Sequence, residues 1–110
     1  MQGIDLPKEE RMIRHIVIWK LAESAEGAVK QENAQKMKVM LEGLKEKIPE
    51  ILNIEVGINC NKNETYDVVL VSEFESLPDL MVYQNHPAHK TCVEFIRKVR
   101  IDRAAVDYET

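Results

Sequence analysis

Residues 12–21 read MIRHIVIWKL, and the order of side chains along them decides the fold. β-Branched residues and Trp19 crowd this decapeptide, which is the composition of a strand. Strand side chains alternate between faces. Ile13, His15, Val17, Trp19 and Leu21 therefore share one face, and Met12, Arg14, Ile16, Ile18 and Lys20 the other. Both faces are apolar at their centre, with Val17 and Trp19 on one side and Ile16 and Ile18 on the other. Residues 66–74, YDVVLVSEF, repeat the pattern, setting Val68 and Leu70 against Val69 and Val71. A strand with one face in water alternates apolar with polar residues. These two strands do not, so both their faces need cover.

The residues between and after them supply the rest of the plan. AESAEG reads as a connection, and Val29, Asn33, Met37, Met40, Leu41, Leu44 and Ile48 then recur at helical spacing. Pro49 closes that helix, because the residue before a proline avoids the α region. Ile54, Val56 and Ile58 alternate with polar or small neighbours, and CNKNET is a turn, so residues 54–74 form a β-hairpin. Ser76 is placed to cap a helical piece with Leu77, Leu80 and Met81 inward. Pro87 opens a further helix whose apolar stripe is Cys92, Phe95, Ile96 and Val99. RIDRAAVDYE reads as a last strand with Ala104, Val106 and Tyr108 on one side.

The order is β-α-β-β-α-β, an α+β, ferredoxin-like plan with a four-stranded antiparallel sheet. Right-handed crossovers put both helical segments on the same sheet face. Nothing in the chain remains to cover the other, and an apolar patch of that size exceeds what monomers expose. The expectation is a homodimer through sheet-to-sheet packing about a two-fold axis.

Composition bounds the rest. The 110 residues suit one domain, read as 12–110 behind an N-terminal extension, 1–11, with Pro7 opening at most one helical turn. Fifteen Lys and Arg against nineteen Asp and Glu leave a net charge of −4, which argues against broad nucleic-acid binding. No apolar run approaches the ~20 residues of a membrane span, and MQGIDLPKEER contains no signal-peptide core. Cys60 and Cys92 lack CxxC spacing, and two cysteines make no disulfide framework; a reducing, cytoplasmic setting fits them.

MIRHIVIWKL, the Ile48-Pro49 helix end, Tyr83-Gln-Asn-His86-Pro87-Ala-His89 and Val106-Asp107-Tyr108-Glu109 together resemble the stress-responsive A/B-barrel (Dabb) family over residues 12–109. The resemblance implies a ferredoxin-like subunit that dimerises into an α/β barrel with a central cavity. For activity it implies less: many such proteins are tied only to stress responses, while a plant branch contains polyketide cyclases that perform intramolecular aldol condensation. Carried over by position, that branch's active pair falls on Tyr83 and His89. The branch also has a third-strand histidine where this chain has Val68, and His15 matches the histidine common on the family's first strand.

The residues support a site of the same kind. With Pro87 first in its helix, His86 is the N-cap and His89 the third residue within. The positive end of a helix favours neutral imidazole, which can accept a proton as a general base must. Tyr83 can offer a phenolic donor to a carbonyl or enolate. The expected catalytic pair is therefore His89 as base and Tyr83 as orienting donor, and the expected ligand-binding set is His15, Tyr83, His86 and His89. The expected ligand is a small apolar or aromatic molecule. A His-Pro pair can equally serve only to cap a helix, and a purely structural stress protein stands as the third reading. His-x-x-His lacks a third committed ligand, so neither metal nor other cofactor is expected.

Overall fold

A computed structural model describes residues 11–110; the opening residues 1–10, and the helical turn expected at Pro7, lie outside it. Ten elements follow in order. Strand β1 (Ile13–Leu21) leads into a small hairpin, β2 (Ser24–Ala25) and β3 (Ala28–Val29), and then into α1 (Lys30–Glu42) with a 3₁₀ turn, Gly43–Glu46. Strands β4 (Asn53–Ile58) and β5 (Val68–Phe74) make the second hairpin. Helices α2 (Leu77–Asn85) and α3 (Pro87–Val99) precede the last strand, β6 (Arg100–Glu109). The main sheet is ordered β4-β5-β1-β6, and every neighbouring pair is antiparallel. This is the ferredoxin-like α+β fold that the element order implied.

The two faces of β1 behave as their side chains dictate. Ile13, His15, Val17, Trp19 and Leu21 are all buried beneath the helices, while the intervening residues are only partly covered. β5 alternates in the same way, with Val68, Leu70, Ser72 and Phe74 inward. α1 adds Met37 and Leu41, the 3₁₀ turn Leu44, the loop after it Ile48, and α3 Cys92, Ile96 and Val99, to give one continuous core. On the opposite face Ile16, Ile18, Val69 and Val71 are half-buried and Val106 is exposed. Polar groups flank this apolar centre. Arg14 bonds Glu73 and the Tyr108 hydroxyl at one end, and Tyr66 donates to Asp102 at the other.

Three local expectations change. AESAEG is more than a connection: Glu26 and Gly27 both take positive φ, as the two-residue turn between β2 and β3 requires. Val29 caps α1 through its backbone and stays exposed, because the helix begins one residue after it. Leu77 and Met81 also face outward; in α2 it is Leu80 and Tyr83 that turn into the core. Both cysteines are free, Cys60 exposed and Cys92 buried.

The edge strand β4 is guarded by α1. Lys38 donates to the Val56 carbonyl at 2.6 Å and to Glu42 at 2.9 Å, while Glu42 accepts from the Val56 amide at 3.0 Å. Backbone groups that could pair with another chain are thereby occupied.

Candidate functional site

The site grows from one junction. α2 and α3 meet at His86, which ends the first helix and starts the second. Its amide donates to the Tyr83 carbonyl at 3.2 Å, and its Nδ1 accepts from the Ala88 amide at 3.0 Å. Pro87 in the first helical position fixes the turn, since it has no amide hydrogen to leave unpaired. The junction sets Tyr83 at the end of one helix and His89 at the start of the next, with ring centroids 4.4 Å apart. His86 itself does not line the cavity described below. Its ring serves as a helix cap.

His89 is half-buried, and its Nδ1 lies 3.1 Å from the Gln84 carbonyl oxygen. A carbonyl only accepts, so Nδ1 carries the hydrogen and the neutral ring keeps its Nε2 lone pair available. Burial holds the imidazole below its ordinary pKa, aided by His15, Arg103 and His86 and opposed by the bond to Gln84.

Tyr83 is fully buried between Phe74, His15 and His89, with ring centroids at 5.0, 6.2 and 4.4 Å. Its hydroxyl has no hydrogen-bond partner among the described residues, and burial pushes its pKa well up. At neutral pH it is a phenol, a donor in want of an acceptor. Tyr83 is not on the cavity wall but directly behind His89.

His15 is buried in β1, opposite Ser72 of β5 and Asp107 of β6. Its Nδ1 is in close contact with Asp107 Oδ1, and the Ser72 hydroxyl donates to its backbone carbonyl. A carboxylate only accepts, so Nδ1 carries the hydrogen and donates to Asp107. Asp107 was visible in the sequence only as part of the closing motif. Its pairing with His15 depends on the β1–β6 register, which no local pattern records.

Of these residues His15 and His89 border a cavity of about 560 Å³ between the sheet and the helices of one chain. The resemblance implied a central cavity in a barrel of two subunits; this one lies wholly on the helix side of a single sheet. Val17, Trp19, Leu41, Leu70 and Ile96 supply apolar lining, and His15, Gln84 and His89 add polar groups. Charged side chains from α3 and β6 complete the wall. A shallower depression of about 620 Å³ beside the β4–β5 loop contains none of the candidate residues. Among the described residues no three His, Cys, Asp or Glu side chains converge as metal ligands do. No helix there is long and apolar enough to cross a membrane.

A four-stranded antiparallel sheet, helices on one face and a histidine-bordered cavity between them define a ferredoxin-like protein with an internal pocket. The chain belongs to the Stress responsive A/B Barrel Domain (Dabb) family, which it matches over residues 13–110. It is similar to a dimeric ferredoxin-like protein of unknown function from Bacteroides fragilis, at 36% identity and a TM-score of 0.80, over 90% of this chain and 96% of that one. A dimeric ferredoxin-like protein of unknown function from Thermobifida fusca gives 24% and 0.79, over 99% and 100%. The fold is also that of a hydroxynitrile lyase from Passiflora edulis, at 17% identity and a TM-score of 0.73, over 94% and 95%. A search of curated proteins returns no match.

Proposed function

We propose that the chain binds a small apolar or aromatic molecule in the cavity between its sheet and helices, as one half of a homodimer. The observation that carries this is the make-up of the cavity, an apolar floor of Val17, Trp19, Leu41, Leu70 and Ile96 with His15, His89 and charged side chains on the same wall. A concave site that joins apolar side chains to a few convergent polar groups is what small-molecule sites have in common. The homodimer is supported by the apolar second face of β1 and β5, which the described residues leave only half-buried, and by the dimeric Bacteroides fragilis relative.

Catalysis is the second reading, and the state of His89 favours it. A neutral imidazole with Nδ1 engaged and Nε2 available has what a general base needs, and Tyr83 behind it remains a protonated donor. In this reading the chain is a polyketide-cyclase-like enzyme, with His89 taking a proton in aldol or related chemistry and the Tyr83 ring packed against the His89 imidazole, off the cavity wall. The Passiflora edulis lyase is an enzyme on the same fold, and its 17% identity carries no more than that.

A thermal-shift screen of wild type and His89→Ala against small aromatic and polyketide-like compounds tests the binding reading. The expected result is compounds that stabilise the wild type and lose most of that effect in the variant. Equal stabilisation of both proteins would place the ligand away from His89, and a screen without any stabilising compound would count against binding.

A further inference from the structure

We propose that the ligand of this cavity carries an oxyanion head, a carboxylate or a phosphate, on its apolar or aromatic body. The inference rests on the binding reading above and sharpens its ligand class. It starts from charge: the chain as a whole is acidic, with a net charge of −4. Yet Lys90, Arg97, Arg100 and Arg103 all border this one cavity, against the single carboxylate of Glu94.

The fold concentrates them. Lys90 and Arg97 stand seven residues apart on α3, two helical turns along the same flank. Arg100 follows at the start of β6, and Arg103 sits across from Trp19, which puts its side chain on the helix-facing side of the sheet. None of the four makes an ion pair or a side-chain hydrogen bond among the described residues. Arg14, Lys30 and Lys38, elsewhere on the surface, are each paired with a carboxylate. Glu94 lies within helical reach of Lys90 and Arg97 but bridges neither.

Unpaired cations next to a low-dielectric wall focus a positive potential into the space they border. Arginine's planar fork matches carboxylate and phosphate oxygens two at a time. The apolar lining of Val17, Trp19, Leu70 and Ile96 takes the body of the molecule, and the arginines take its head.

Isothermal titration with 4-butylbenzoate, 4-butylphenyl phosphate and the neutral 4-butylbenzamide tests the proposal. At least one anion is expected to bind about tenfold or more tighter than the amide, as charge-assisted bidentate bonds allow. That advantage should shrink several-fold in Arg97→Gln and in Arg103→Gln, and again between roughly 50 and roughly 500 mM salt. Amide binding should stay constant throughout, and the preferred anion identifies the head group. Anions and amide binding equally would overturn the oxyanion head and leave the cavity reading standing. An anion advantage untouched by either arginine variant would also overturn it. Absence of binding by all three compounds would remove both.

Discussion

The Tyr83 hydroxyl is the most unusual single group in the molecule, because it is buried without a hydrogen-bond partner among the described residues. A buried donor left unpaired costs about 1–3 kcal/mol. Tyr83→Phe removes only that group and keeps the ring against Phe74 and His89, so the variant should be more stable by about 1 kcal/mol in urea unfolding. A loss of stability would mean that the hydroxyl has a partner. His89 gives a second prediction. Its folded-state pKa lies below the ordinary 6.5, so the unfolded chain binds the proton first as pH falls. The stability it contributes is complete above pH 6.5 and declines as pH drops from there towards the depressed value. His89→Gln, whose amide can still donate to the Gln84 carbonyl, should show a flatter stability profile below pH 6.5 in denaturant titrations. Profiles of equal slope would show that His89 titrates alike in both states.

Helices and strands reveal which parts of this arrangement a sequence can display. The period-two pattern of β1 and β5 and the period-three-and-four pattern of α1 and α3 were readable because each is set by neighbours within one element. Ser76 and His86 were readable as caps for the same reason, and both accept the amides a cap should, Asp79 and Ala88. The β2–β3 hairpin was hidden because two-residue strands carry no alternation to detect. The outward turn of Leu77 and Met81 was hidden because α2 is short and packs along a narrow stripe. Asp107 and the cation cluster depend on a strand register set across the whole chain. At this scale His86 has a separable role. His86→Ala should cost about 1 kcal/mol through the lost cap of α3. Once temperature is matched to the lower midpoint, ligand affinity should be unchanged, because His86 does not border the cavity. A large affinity loss in calorimetry would show that the cap also sets the position of His89.

Among the described residues the molecule is asymmetric about its sheet, with a full core on one face and a half-buried apolar centre on the other. Ile16, Ile18, Val69 and Val71 sit between the Arg14–Glu73 pair and the Tyr66–Asp102 bond, an apolar middle with a polar rim. Ile16→Asp places a charge at that centre and leaves the helix-side core untouched. Sedimentation equilibrium at micromolar concentration should find wild type at twice the chain mass and the variant at the chain mass. A wild-type monomer would remove the homodimer.

The contact between His15 and Asp107 spans 92 positions in the chain, whereas Tyr83, His86 and His89 are near neighbours. The helix junction and the strand pairing therefore differ widely in the loop closure each requires. The helix junction can form through local contacts within a nascent chain, while the strand partnership waits for one of the costliest loop closures in the molecule. Until β6 docks beside β1, Arg100 and Arg103 are absent from the cavity wall and Asp107 is absent from His15. A ligand of the proposed kind would touch α3 and β6 together, and so would stabilise a local and a long-range part of the chain at once.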